Sequence, residues 1–136
     1  MKELTVRADA ENIGAVTDFV NEQLKTLDCP IKTQMQIDIA IDELLGNIAH
    51  YAYYPNTGDV TVRVEVIQDP LSVEITFIDY GIPFNSLEIK DPDTLLCAEE
   101  REIGGLGIFI VKKSMDKVSY VYRDGKNILT ILKKLQ

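Results

Sequence analysis

A short run of glycines, Gly104-Gly105-Leu106-Gly107, leads directly into the apolar segment Ile108-Phe109-Ile110-Val111. If that segment is a helix, the unpaired N–H groups at its start and its dipole could cradle a phosphate that the glycines allow to approach. Flexibility at the end of a loop would explain the glycines equally well. The spacing matches neither the Rossmann pattern G-x-G-x-x-G nor the Walker motif with its lysine.

A second set of polar groups follows the apolar run Ile75-Thr76-Phe77-Ile78, where Asp79 and Tyr80 precede Gly81. A carboxylate at the end of a strand can accept a hydrogen bond from an amino group, such as the exocyclic amine of a nucleobase. The glycine beside it lacks a Cβ and would let a flat ligand lie against the backbone. The sequence Asp-x-Gly is also common in ordinary turns.

The third set is Glu43 and Asn47, four residues apart in a mostly apolar stretch. On a helix these two side chains project from the same face. They would be an exposed pair on a solvated helix edge unless another group approaches them. Gly46 lies between them and costs about 1 kcal/mol of helix stability relative to alanine. A close approach by another group would explain both the polar pair and the glycine.

The single histidine, His50, has Tyr51 and Tyr53 as near neighbours. We interpret it as a packed, hydrogen-bonded imidazole at a helix end, because no Ser or Cys nucleophile motif accompanies it.

Periodic segments surround these groups and must position them. Asp9 can cap a first helix, and an Asp124-Gly125-Lys126-Asn127 turn can join the last two strands. The predicted strands are 4–8, 59–68, 72–79, 117–123 and 128–135, and the predicted helices are 10–27, 31–53 and 106–115.

A segment of about 25 residues, from Tyr80 to Gly105, shows no periodicity and is far longer than the usual connection of about 4–6 residues. Loops of this length often serve as lids over a site. Strands, helices, a lid, a helix and a final hairpin predict an α+β fold, a two-layer sandwich with a mostly antiparallel mixed sheet and its helices on one face.

The length, net charge and cysteine count of the chain argue against several functions. The chain has 136 residues and a net charge of −8, which predicts a single domain covering 1–136 and argues against binding to nucleic acid. No signal peptide or membrane-spanning run is present, so we expect a cytoplasmic protein. Cys29 and Cys97 are too few for a disulfide framework. Residues 112–136 hold seven basic and two acidic groups, an excess of +5, which is either a solvated strand face or a docking patch.

Taken in order, the three sets of residues resemble the Bergerat-fold (GHKL) ATP-binding domain shared by gyrase, Hsp90, MutL and histidine kinases. Within that family the likeness is strongest to the small bacterial anti-sigma factor and serine-protein kinase branch. Residues 104–118 are similar to its glycine box, following helix and Met-Asp-x-Val exit. The resemblance covers nearly the whole chain.

The resemblance implies a role for each matching residue. Glu43 would be the general base toward a serine hydroxyl, and Asn47 would ligate Mg2+. Asp79 would bind the adenine amine and Gly81 would line the purine. The residues implied to hold the phosphates or the base from elsewhere in the chain are Gly104, Gly105, Leu106, Gly107, Arg101 in a lid of residues 82–103, and Thr130.

The sequence departs from the family pattern at three points, one of which is that Thr130 is the only candidate for the late-strand threonine expected near the adenine. Pro83 stands where the first glycine box has its second glycine, and it stiffens that turn. The family's Asn-x-x-x-His-Ala-Tyr has Tyr51 at its histidine position, with His50 one residue early.

The resemblance implies an ATP- and Mg2+-dependent serine/threonine protein kinase of the anti-sigma type. Such a protein would phosphorylate a small STAS-type antagonist protein, sequester a sigma factor and commonly form a homodimer, for which the first strand could supply a pairing edge. The alternative is a nucleotide-responsive partner-binding module without kinase activity, which Pro83 favours.

Overall fold

The computed structural model describes residues 1–88 and 105–135. Three turns of other helical types, at Ala10–Asn12, Ile48–Ala52 and Ser86–Glu88, accompany the main elements. In chain order the main elements are β1 (Lys2–Arg7), α1 (Ile13–Leu24), α2 (Ile31–Asn47), β2 (Asp59–Ile67), β3 (Ser72–Asp79), α3 (Gly105–Ser114), β4 (Lys117–Arg123) and β5 (Lys126–Lys134).

The five strands form one sheet in the order β1-β2-β3-β5-β4, and all four strand pairings are antiparallel. The helices cover one face of this sheet, because the apolar residues of the strands on that face pack with α1, α2 and α3 in one core. The predicted α+β sandwich is confirmed.

Alternation along the strands places the core. Val60, Val62 and Val64 of β2 are each no more than 2% exposed, while Thr61 and Arg63 lie on the opposite face. Each fully buried valine or isoleucine contributes about 1.5–3 kcal/mol. The buried stripe of α2 consists of Ile37, Ala40, Ile41, Leu44 and Leu45. This stripe fixes the rotation of α2 and therefore the direction of its polar pair.

Asp9 caps the first helical segment as predicted, since its Oδ1 accepts a hydrogen bond from the N–H of Asn12 at 3.2 Å. The segment begins with a 3-10 turn, and α1 ends at Leu24, three residues earlier than predicted. The long second helix is α only to Asn47 and continues as a π turn over Ile48–Ala52. Turns of this type are rare and occur often at functional sites.

The final hairpin is tighter than predicted. Asp124 and Gly125 have φ angles of 54° and 76° and alone form the turn, as in two-residue hairpin loops. Lys126 and Asn127, which the sequence placed in the turn, are therefore the first residues of β5.

No helix in the described ranges is long and apolar enough to cross a membrane.

Candidate functional site

Glu43 of α2 lies directly against the first turn of α3. A Cβ added to Gly107 would fall 1.9 Å from Oε2 of Glu43 and 2.0 Å from its Cδ, far inside van der Waals contact. In this conformation the carboxylate occupies the space that a side chain at residue 107 would fill. Glu43 of the polar pair and Gly107 of the glycine segment, which are 64 residues apart in the sequence, meet at this contact.

Asn47, one turn after Glu43, is 7% exposed, and its amide nitrogen Nδ2 is buried with no hydrogen-bond partner among the described residues. An unpaired buried amide group costs about 1–3 kcal/mol, so such a group requires a partner from outside the described residues, a water molecule or a ligand. The two amide atoms exchange on a flip of the side chain, which would turn the oxygen to where the nitrogen is. A carboxamide oxygen suits Mg2+, so Asn47 fits the role of magnesium ligand that the family resemblance implies.

Gly46 does not make the close approach expected from the sequence. A Cβ at this position would meet no atom within 4 Å. No described group of the protein therefore makes the close approach that was expected at Gly46, and approach by a ligand remains a prediction.

Asp79 ends β3 and is 3% exposed. Its Oδ1 accepts hydrogen bonds from the side-chain amide of Asn127 and from the N–H of Gly81, both at 2.9 Å. Both bonds use the same oxygen, so Oδ2 can accept a donor from a ligand. Burial raises the pKa of Asp79, and the hydrogen bonds from Asn127 and Gly81 oppose that rise.

Gly81 packs against the end of the π turn. A Cβ on Gly81 would lie 2.2 Å from the carbonyl oxygen of Ala52, and the N–H of Ile82 donates to that same oxygen at 2.9 Å. From the sequence we expected the absence of a Cβ at Gly81 to make room for a flat ligand. In the structure the Cβ position is taken by the backbone of Ala52, so this glycine joins the strand end to the helix end.

Tyr53 makes a second link between these two elements. Its hydroxyl donates to the carbonyl of Asp59 and accepts from the N–H of Tyr80, both at 2.7 Å. Its ring fills the space that a Cβ on Gly58 would need, 2.3 Å away. Burial is the main cause of the raised pKa of Tyr53. The residue before Gly81 is therefore tied to both the π turn and the start of β2.

Asn127 is the site residue that the sequence analysis missed. It is 4% exposed and lies opposite Asp79 in the pairing of β3 with β5. The Asp-Gly pair favours a two-residue turn, and that assignment would have put Asn127 in the strand. There, the period of two that runs through Leu129 and Ile131 directs it to the helix-covered face.

Thr130 is not brought to the site. It pairs with Thr76, and the two hydroxyl oxygens are 3.4 Å apart. Both threonines are an odd number of residues from Asp79 and Asn127 along their strands, so they project from the opposite, uncovered face of the sheet. The structure therefore contradicts the placement of Thr130 beside the base.

Four further predicted residues lie at or beyond the limits of the described ranges. Gly105 and Leu106 form the first turn of α3. Gly104 and Arg101 lie outside the described residues, as does most of the predicted lid, of which residues 82–88 are described.

Burial raises the pKa of Glu43 above its ordinary value, and the negative charge of Asp42 raises it further. A carboxylate with a raised pKa is a stronger base than an exposed one. Glu43 thus has the position and the basicity to accept a proton next to the start of α3.

His50 is exposed, and its contact is an edge-on packing against Tyr51, with ring centroids 4.5 Å apart. The prediction of a packed, hydrogen-bonded imidazole is wrong, because His50 lies on the solvent side of the π turn. The ring of Tyr51 in turn packs against Phe84, with centroids 5.0 Å apart.

Comparison with known proteins places this geometry in a family. The family model of the histidine kinase-like ATPase domain matches residues 6–133. A serine-protein kinase RsbW of Bacillus mycoides is 24% identical over 131 residues, which are 93% of this chain and 81% of that protein. A serine-protein kinase RsbW of Listeria monocytogenes is 31% identical over 98 residues, which are 68% of this chain and 61% of that protein.

Two solved structures have a similar fold. The RsbU and RsbW domains of a Mycobacterium tuberculosis protein match 99% of this chain and 33% of that chain, with a TM-score of 0.66 and 15% identity. The histidine kinase domain of a blue-light activated histidine kinase from Erythrobacter litoralis matches 92% of this chain and 60% of that chain, with a TM-score of 0.57 and 16% identity.

Proposed function

The chain belongs to the histidine kinase-like ATPase domain family, and from that premise we propose that it is an ATP- and Mg2+-dependent serine/threonine protein kinase of the anti-sigma type. Its substrate would be a small STAS-type antagonist protein, and its second partner a sigma factor that it sequesters. The names of the relatives, serine-protein kinase RsbW, support the activity.

The contact between Glu43 and Gly107 is the observation that carries this proposal. It joins a basic carboxylate to the first turn of a helix that begins with glycines. Backbone N–H groups in such a turn attract phosphate. A carboxylate beside bound phosphates is placed to serve transfer of the terminal phosphoryl group rather than binding alone.

The proposed reaction needs little covalent chemistry from the protein. Glu43 accepts the proton of the incoming serine hydroxyl as that oxygen bonds to the γ-phosphorus, and the bond from phosphorus to the β,γ-bridging oxygen of ATP breaks to release ADP. Gly105 and Gly107 present backbone N–H groups to the phosphates, and Asp79 accepts a hydrogen bond from the adenine amine. Mg2+, held on the protein side by Asn47, would neutralise phosphate charge.

Transfer of radiolabelled phosphate from ATP to candidate STAS-type proteins tests the proposal. Glu43→Gln should abolish transfer, because the amide cannot take up a proton, and should bind MgADP with nearly the wild-type Kd. Asp42→Asn is the matched control, since it changes the neighbouring exposed carboxylate and should retain transfer at pH 8. Full transfer by Glu43→Gln would refute the assigned base.

A second function is favoured by Pro83, which replaces a glycine of the nucleotide-binding turn and has no N–H to offer a ligand. In that case the protein is a partner-binding module that nucleotide regulates without phosphoryl transfer. The same assay separates the two functions. Partner binding that changes on addition of ATP, with no label transferred to any STAS-type protein, would support the module and exclude the kinase.

Three accompanying expectations are part of the proposal. A homodimer could form through β1, which is an edge strand of the sheet. The basic segment 112–136 could contact an acidic partner. The protein would act in the cytoplasm, where sigma factors are found.

A further inference from the structure

The side-chain amide of Asn127 has all of its hydrogen-bonding capacity in use. Its nitrogen donates to Oδ1 of Asp79 at 2.9 Å and to the carbonyl of Ile82 at 2.8 Å. Its oxygen accepts from the N–H of Phe84 at 3.1 Å and from the hydroxyl of Tyr120. An asparagine amide has two donor hydrogens and two acceptor lone pairs, so none remains for a ligand.

These four partners determine which way the amide faces. A flipped amide would direct its oxygen at the carboxylate of Asp79 and at a carbonyl, and its N–H groups at the N–H of Phe84. That arrangement replaces favourable contacts by repulsive ones. Asn127 therefore presents a fixed donor to Asp79, and it is itself held by β4 through Tyr120.

The same contacts fix the turn that carries Pro83. Asn127 binds the carbonyl of the residue before the proline and the N–H of the residue after it. The position of this turn relative to Asp79 therefore depends on one buried side chain from a different strand.

The fixed donor determines how Asp79 can bind a base. With Oδ1 occupied by Asn127 and Gly81, the carboxylate is left with Oδ2, and the donor favours its ionised form. An ionised oxygen accepts from the 6-amino group of adenine and repels the 6-oxo group of guanine or hypoxanthine. A protonated Asp79 could instead donate to a 6-oxo group.

We propose that Asn127 is the specificity-determining residue of the nucleotide site: by holding Asp79 as a hydrogen-bond acceptor, it makes the site select 6-aminopurines over 6-oxopurines. This inference rests on the proposed function for nucleotide binding but requires no kinase activity. Asn127 acts through Asp79 and is therefore a positioning residue.

Calorimetric titration with MgADP and MgIDP tests this role, since the two nucleotides differ only in the purine ring, mainly at position 6. A hydrogen bond to a charged group predicts that the wild type prefers ADP by about 10- to 100-fold. In Asn127→Leu the preference should fall below about 5-fold, mainly through loss of ADP affinity. The affinity for ADP should also decline at a higher pH than in the wild type on acidification, because the donor that lowers the pKa of Asp79 is gone.

A second variant guards against misfolding of the first. Asn127→Asp keeps the volume and can still accept from Phe84 and Tyr120. Because two adjacent buried carboxylates cannot both be ionised, the pair takes up a proton, Asp79 is no longer held as an acceptor, and the preference for ADP should fall. Thr130→Val, on the same strand but the opposite face, should retain it.

An unchanged ratio of ADP to IDP affinity in a folded Asn127 variant would overturn the inference, as would an equal loss in Thr130→Val. A wild-type protein that binds neither nucleotide would overturn the proposed function instead, so the two failures are distinguishable.

Discussion

Substituting Gly107 by alanine should uncouple activity from stability. The added Cβ would lie 1.9 Å from Oε2 of Glu43, whereas ordinary contact begins at 3.4 Å, so the carboxylate must move by about 1.5 Å. The far end of a glutamate side chain can make that movement by changing its χ angles. A misplacement of about 1 Å can cost about 100-fold in rate, and we expect a loss of that size in phosphoryl transfer.

The expected change in the free energy of unfolding is small. An off-rotamer glutamate costs about 0.5–1.5 kcal/mol, and alanine in place of glycine within a helix returns up to about 1 kcal/mol. These contributions nearly cancel, so Gly107→Ala should unfold within about 1 kcal/mol of the wild type in urea. A much larger destabilisation would mean that the α3 backbone, rather than the side chain of Glu43, has to move.

The double variant Glu43→Ala/Gly107→Ala completes the test. The three atoms nearest the new Cβ all belong to Glu43, so Gly107→Ala should destabilise less in the Glu43→Ala background than in the wild type. Measurements of the Kd for MgADP accompany each variant. If Gly107→Ala raised that Kd 10-fold or more and left kcat unchanged, the missing Cβ would serve the phosphates, and our assignment of this contact would be refuted.

Two further perturbations follow from the same contacts. Gly46→Ala should raise the free energy of unfolding by about 1 kcal/mol in urea titrations, because an added Cβ meets nothing within 4 Å. Gly14→Ala in α1 is the control, since a Cβ there also meets nothing within 4 Å. Destabilisation by Gly46→Ala alone would show that the space beside Gly46 is required. Because the pKa of Glu43 is raised, kcat should rise as pH increases through that pKa. Ionisation of Glu43 should also lower the free energy of unfolding as pH rises above 4.5, the ordinary pKa of a glutamate. Glu43→Gln should lack this pH dependence of stability. Asp42→Asn should shift both changes to lower pH, and an unshifted profile would assign them to another group.

Most elements were predictable because strong periodicity determines them. The strands Ser72–Asp79 and Lys117–Arg123 have the predicted bounds, since alternating apolar residues and turn sequences delimit them. The π turn at Ile48–Ala52 was not predictable. It continues the apolar pattern of a helix, and its last residue, Ala52, accepts a hydrogen bond from Ile82, which is distant in sequence.

The residues of the candidate site were predictable where a short motif carries them and not where strand pairing does. Glu43 and Asn47 share a helix face by spacing alone, and the structure keeps them together. The residue that hydrogen-bonds to Asp79 depends on the register between β3 and β5, and this register cannot be read from the sequence. A two-residue error in the start of β5 hid Asn127. Thr130 became a candidate because the family resemblance implies a late-strand threonine near the adenine, although a strand's period of two sends Thr130 to the other face.

The supports around Asp79 explain how a proline can replace a glycine in this turn. Gly81 must lack a side chain because Ala52 occupies the space, so a substitution there would separate the strand end from the helix. Pro83 is exposed, and its neighbours are held on both sides by Asn127. The backbone at Pro83 therefore does not need the flexibility of a glycine, since the buried amide of Asn127 holds the turn in place. Asn127 thus offsets the replacement of the family's glycine by Pro83. In a variant that lacks the Asn127 amide, Pro83→Gly should change nucleotide affinity, whereas in the wild type it should have little effect.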